Sequence, residues 1–213
     1  MNHSIEQYRQ SFIPALTILT HELSRMFPGK QTGRIGNKVT ARLKTSDSIF
    51  EKMQRRNIYP EQMTDIGGIR ILFPDIKSVY DGASKIRQRF IILEEEDYID
   101  RPKSGYRGYH MLVKAGDKVI EVQLKTPMME EWTYISHATM YKRAAPKRAQ
   151  AYVRKMGDYY SRMEEGQKAK RPKTPSMWKR MKYPAFALNP IKSGSLLPLG
   201  LLALGIWLLA KKK

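Results

Sequence analysis

Asp100-Arg-Pro-Lys-Ser-Gly-Tyr-Arg-Gly-Tyr-His110, a short apolar run, a polar turn, then Glu121-Val-Gln-Leu-Lys-Thr126: this stretch decides the reading of the chain. From residue 119 to 124 the residues alternate. Val119, Glu121 and Gln123 share one face of a strand and Ile120, Val122 and Leu124 the other, so a carboxylate stands on a polar face. Residues 111–113 and 119–124 around Ala115-Gly-Asp-Lys118 form a hairpin pattern, whose polar face is either simply solvated or part of a site. The chemistry of the glycine-tyrosine stretch suits a nucleotide. Gly105 and Gly108 would let a ligand approach the backbone, Tyr106 and Tyr109 offer stacking faces, and Arg101, Lys103 and Arg107 bring charge to anionic oxygens.

Around this stretch, five more segments read as strands or helices. Residues 38–44 suit a strand. Thr45-Ser46-Asp47 then starts a helix through Arg56, with Ser48 and Lys52 on one face and Arg42 and Lys44 just before it. That cluster is aimed at a helix N-terminus, a setting that favours phosphate, or else it is an ordinary solvated face. Asp65-Ile-Gly-Gly-Ile-Arg70 places a carboxylate at the entrance of a buried strand, residues 69–73. Residues 75–90 are helical by period and lead to a strand beginning at 91, a strand-helix-strand crossover. The acidic run 94–97 reads as a solvated edge, because side chains of a strand alternate faces.

Residues 5–26 are predicted to form a helix or two, broken near Pro14, with Ile5, Phe12, Leu16, Leu19 and Leu23 facing a core. Residues 28–36 read as a loop that lacks the ending of a phosphate-binding loop. After Thr126, residues 127–142 form a helix with Pro127 in its first turn and Met128, Trp132 and Ile135 inward; His137 reads as a packed group.

Composition bounds the rest. The absence of cysteine excludes disulfides, thiolate zinc sites and cysteine nucleophiles. The net charge of +19 is uneven: residues 1–141 carry 21 Lys and Arg against 17 Asp and Glu, net +4, and residues 142–213 carry 18 against 3, net +15. The tail therefore seeks anionic lipid, nucleic acid or another polyanion. Residues 149–163 continue as a helix and 168–175 read as a linker. Residues 196–210 carry no charge and end in Lys211-Lys-Lys213. As a helix they would reach about 22 Å, short of a hydrocarbon core of about 30 Å, so a marginal membrane anchor is expected, with Trp207 and the terminal lysines at the interface. No cleavable signal pattern opens the chain, so export is not expected, and the supply of a nucleotide such as ATP leads to the expectation of a catalytic part in the cytoplasm. The expected division is an N-terminal helical segment at 1–37, a catalytic domain at 38–145, a basic helix and linker at 146–195 and the anchor at 196–213.

Taken together, Arg42-x-Lys44-x-x-x-Ser48-Ile-x-x-Lys52, Asp65-Ile-Gly-Gly-Ile-Arg70, Gly105-Tyr-Arg-Gly-Tyr-His110 and Glu121-Val-Gln-Leu-Lys-Thr126 resemble, in order and spacing, the synthetase domain of RelA/SpoT-type proteins. Trp132, His137 and Tyr141-Lys142 extend the match. The absence of a His-Asp pair resembles the small, synthetase-only members. The resemblance implies an α+β, nucleotidyltransferase-like fold, a mixed five-stranded sheet flanked by helices, and transfer of pyrophosphate from ATP to a nucleotide 3′-hydroxyl. It implies further that Asp65 and Glu121 hold Mg²⁺, Glu121 alternatively acting as base. Lys44, Ser48 and Lys52 would hold the ATP phosphates, with Arg42 and Arg70 around adenine. Lys103, Tyr106, Arg107, His110, Gln123 and Glu130 would bind the acceptor. Two positions depart from the family pattern: Gly108 stands where many members have Ser, and Glu130 where small synthetases often have Asn. A carboxylate at 130 accepts both donors of a guanine edge, so GDP or GTP is the expected acceptor. Adenine nucleotides, a tRNA 3′ end, other RNA contacts, a homo-oligomer and a non-catalytic nucleotide-binding role stay open.

Overall fold

A computed structural model of the chain describes residues 2–29, 38–140 and 147–173. Most of the loop read at 28–36, the side chain of His137, Tyr141, Lys142, and the tail with its apolar run lie outside the described residues. The elements are α1 (Asn2–Gln10), α2 (Ile13–Met26), β1 (Lys38–Leu43), α3 (Ser46–Arg56), β2 (Gly67–Leu72), α4 (Ile76–Arg89), β3 (Ile92–Asp97), β4 (Tyr109–Ala115), β5 (Lys118–Lys125), α5 (Pro127–Met140) and α6 (Lys147–Glu164). Local chemistry sets their ends. Pro14 lies in the first turn of α2, where its missing N–H is not needed, so the break falls just before it. Thr45 caps α3 by accepting from the Ser48 N–H, and Asp75 caps α4 through the Ser78 N–H.

The strands form one mixed sheet in the order β1-β2-β5-β4-β3. β2 and β5 run parallel and the other neighbours antiparallel. The predicted crossover is present, but it is long: α4 carries the chain from β2 to the far edge, past β5 and β4. Helix α2 lies against β1 and β2, and α4 against β5. They cover the face formed by Ile69, Ile71, Met111, Val113, Ile120, Val122 and Leu124, all buried. The other face is the polar one.

Two expected domain boundaries are not boundaries of packing. Ile5, Phe12, Leu16, Leu19 and Leu23 are buried in the same core as the sheet residues, so the N-terminal helices belong to the domain. At the other end, Trp132 and Ile135 of α5 form a second core with Ala149, Tyr152, Val153, Met156 and Tyr160 of α6. The Trp132 indole N–H donates to the Val153 carbonyl at 3.1 Å. The basic composition of 146–164 masked an apolar stripe that needs a partner. Nor is 168–173 a free linker: Arg171 pairs with Glu131 at 2.7 Å and lies 5.9 Å from the Tyr160 ring. Among the described residues no helix is long and apolar enough to cross a membrane.

Candidate active site

Register builds the site. Arg42 of β1 pairs with Gly68 of β2, Gly68 with Glu121 of β5, and Glu121 with Leu112 of β4. Two residues along, Thr40, Arg70, Gln123 and His110 make the next row. Directly paired residues and their i+2 neighbours share a face, so Arg42, Arg70, Glu121, Gln123 and His110 come together from four strands. The hairpin and the site are thus one object. Its solvated face is the site's floor.

At one end of this floor, the Lys44 N–H donates to the Ile66 carbonyl at 2.8 Å and brings the end of β1 against the entrance of β2. Asp65 sits there between two cations. Lys44 Nζ is 2.8 Å from Oδ2 and Lys52 Nζ 2.9 Å from Oδ1. Burial works to raise the Asp65 carboxyl, but hydrogen bonds and charge from the two lysines outweigh it and hold it below the usual range. Ser48 stands on the first turn of α3, its Oγ accepting from Thr45 Oγ1 at 2.9 Å.

Glu121 is held from both sides. Its Oε1 lies 3.2 Å from His110 Nδ1 and its Oε2 accepts from Gln123 Nε2 at 2.8 Å. Burial again acts upward and is outweighed, chiefly by His110, so Glu121 stays ionised. Asp65 is close enough to oppose that charge. Two mutually repelling carboxylates with hard oxygen donors, rising from separate elements, fit one divalent cation such as Mg²⁺, which takes its other ligands from phosphate and water. Among the described residues, no group of three or more His, Asp or Glu side chains is placed to hold a metal by itself.

The opposite end is aromatic. Tyr106, Tyr98 and His110 meet edge to face, with centroids 5.2 to 5.5 Å apart. The Tyr106 hydroxyl lies 2.5 Å from His110 Nε2. Lys125, with its side chain 1% exposed, lies over the Tyr106 ring at 4.6 Å, donates to Thr133 Oγ1 at 3.0 Å and stands 3.7 Å from Glu130 Oε2. Desolvation lowers this lysine to about 8. Glu130 also pairs with Arg70, tying α5 to the sheet, while its Oε2 and Arg70 Nε lack hydrogen-bond partners.

Several expected roles change. Gly105 and Gly108 make room for the protein's own side chains: a Cβ at Gly105, whose φ is +82°, would sit 3.1 Å from Trp132, and one at Gly108 would sit 3.2 Å from Lys125. The glycine that keeps the floor clear is Gly68, between Arg42 and Glu121. Arg107, expected to contact the acceptor, instead pairs at 2.5 Å with Glu164 of α6, which Thr126 also contacts. Tyr109 is buried on the apolar side with its hydroxyl on Glu95 and Arg87, and Arg101 is exposed beside Asp100. Lys103 is exposed on the loop before Tyr106. Sequence reasoning missed Gly68, Lys125 and Glu164. Lys125 follows Glu121 and Gln123 on the polar phase of β5, so the alternation carried no signal of its burial, which comes from the Tyr106 ring and Thr133 packed around it.

Comparison with known proteins places the fold. A family described as "Region found in RelA / SpoT proteins" matches residues 41–146. The chain is 32% identical over 143 residues to GTP pyrophosphokinase YjbM of Bacillus subtilis (strain 168), covering 60% of this chain and 68% of that protein. It is 27% identical over 128 residues to the GTP pyrophosphokinase of Photobacterium angustum, covering 58% of this chain but 17% of that longer protein. In structure it is similar to the small alarmone synthetase 1 from Bacillus subtilis, with a TM-score of 0.67, 25% identity, and coverage of 76% of this chain and 94% of that one.

Proposed function

The chain belongs to the RelA/SpoT family, and on that premise we propose that it is an alarmone synthetase, moving the β,γ-pyrophosphoryl group of ATP to the 3′-hydroxyl of GDP or GTP. The observation that carries the reading is the polar sheet face: a cationic, carboxylate-bearing end and an aromatic end share one floor.

In this reading Lys44, Ser48 and Lys52 bind the ATP phosphates, with Arg42 and Arg70 toward adenine. The lysines exchange Asp65 for phosphate oxygens, which leaves Asp65 and Glu121 to hold Mg²⁺. When bound, that ion neutralises phosphate charge and orients the pyrophosphoryl group. The acceptor base stacks on the face of Tyr106 opposite Lys125, and Glu130 takes the donors of its guanine edge in competition with Arg70. His110 and Gln123 fix Glu121. The 3′-oxygen attacks the β-phosphorus, the bond to the α-phosphate oxygen breaks, and AMP leaves with that oxygen. Because Glu121 is held ionised below the ordinary carboxylate range, it suits a cation better than a proton, and the hydroxyl proton passes to solvent. Catalysis is then positioning and charge neutralisation.

We also infer that the tail attaches the catalytic part to a membrane from its cytoplasmic side, from the uncharged run at 196–210 and its lysine flank. Incubation with ATP labelled in the γ-phosphate and, in turn, GDP, GTP, AMP, ATP or deacylated tRNA tests the activity. Label should appear on GDP or GTP as a 3′-pyrophosphate. Label only on adenine nucleotides or tRNA would move the chain to the toxin-like relatives, and no transfer at all would leave a nucleotide-binding protein.

A further inference from the structure

Away from the site, α6 turns a cationic stripe outward. Arg148, Lys155 and Arg162 are seven residues apart in succession, so they lie along one line of the helix, away from the buried Val153 and Tyr160 and bordered by Tyr152. The chain then returns alongside this stripe, fixed there by Arg171 on Glu131. Between helix and returning segment runs a groove of about 410 Å³, lined by Lys155, Arg162, Lys170 and Lys173, with one carboxylate, Asp158. A neighbouring hollow of about 370 Å³ adds Arg148 and shares Lys155 and Lys173. None of these five cations forms an ion pair among the described residues, although each is near others of its own sign.

We propose that this groove is a docking face for the phosphate headgroups of an anionic membrane, so that the catalytic domain lies against the lipid surface with α6 downward. The proposal rests on the membrane reading of the tail and gives it an orientation. Three observations favour lipid over other polyanions. Beyond Lys173 the chain holds seven more cations, Lys179, Arg180, Lys182, Lys192, Lys211, Lys212 and Lys213, and no Asp or Glu, so the tail cannot neutralise the groove. That same tail carries the uncharged run, which on inserting would bring the groove to the headgroups. The groove is also open along its length, as a flat array of headgroups requires. Apolar insertion and a basic patch are individually weak and jointly sufficient for stable attachment.

The test is sedimentation of full-length protein with vesicles of phosphatidylcholine alone or mixed with phosphatidylglycerol. The parent should bind both and prefer the anionic ones. The combined variant Arg148→Glu, Lys155→Glu, Arg162→Glu should lose that preference by at least about tenfold, keep its binding to neutral vesicles, and keep pyrophosphate transfer. The glutamine versions of the same three changes should give an intermediate loss, and they stand in if charge reversal prevents folding. Equal binding of parent and glutamine variant to anionic vesicles overturns the proposal. In full-length Leu202→Glu, Leu208→Glu, binding to neutral vesicles should vanish while the anionic preference persists; unchanged neutral binding would remove the anchor reading and leave the groove result standing. A parent that ignores anionic vesicles but binds single-stranded RNA through these cations would also overturn it.

Discussion

His110 Nδ1 lies 3.2 Å from Glu121 Oε1, and this contact fixes more than the carboxylate. An ionised Glu121 is met by a proton on Nδ1, and on the other side of the same ring Nε2 lies 2.5 Å from the Tyr106 hydroxyl. One imidazole thus couples the Glu121 carboxylate to the Tyr106 ring. His110→Ala should lower turnover by about tenfold or more and raise the acceptor KM. His110→Asn, whose amide can still donate to Glu121, should recover turnover better than it recovers KM; equal losses in both variants would show that the imidazole only fills space.

Asp65→Asn and Glu121→Gln should each cut pyrophosphate transfer far more than tenfold with little loss of folding, since each removes a charged oxygen at nearly constant volume. The check is steady-state turnover beside circular dichroism. More than about a tenth of parental turnover in both variants would remove these residues from the metal site.

Tyr106→Ala should weaken acceptor binding by roughly 1–3 kcal/mol, the worth of a stacking face, and ATP binding less. Arg42→Ala should do the reverse. Calorimetric titration of each variant with GDP and with a non-hydrolysable ATP analogue separates the two. Equal impairment for both ligands would refute two distinct subsites.

Lys125 should give the site an alkaline limb. Desolvation lowers it from 10.5 to about 8, so it sheds its charge above that pH while the unfolded chain keeps the proton until near 10.5. Between those values the unfolded state binds more protons, and this group adds stability as pH rises. The cation over Tyr106 disappears in the same window. The acceptor KM should therefore rise above pH 8 in the parent and stay flat in Lys125→Met, with the ATP KM unaffected; parallel profiles would exclude Lys125 as the cause.

Arg107→Ala should act on stability more than on binding. It leaves Glu164, 5% exposed, without its guanidinium partner. Burial already pushes this carboxyl upward, against Thr126 and Arg107. Loss of a partner in a buried pair costs about 3 kcal/mol, eased here because the carboxyl can take a proton. Denaturant unfolding of Arg107→Ala, Glu164→Gln and the double variant measures the coupling. A large acceptor KM effect with unchanged stability would return Arg107 to the nucleotide site.

The order of residues along the chain was enough to place the five strands, the alternation that makes one face of β5 polar, the start of α3 and the motifs that hold Asp65, Glu121, Tyr106 and Lys44. Those are properties of neighbours along the chain. It did not determine which cations serve the site. Arg107 and Tyr106 are adjacent in one motif, yet one pairs with Glu164, 57 residues away, and the other stacks beneath Lys125. Arg70 meets Glu130 across 60 residues. Nor did composition show that α6 belongs to the domain, because its charge hid the stripe that Trp132 and Ile135 cover. Local periodicity fixes faces and ends; which faces meet, and so which charges are neutralised inside and which are left outward for partners, depends on strand order and helix docking, which arise only when the whole chain is closed.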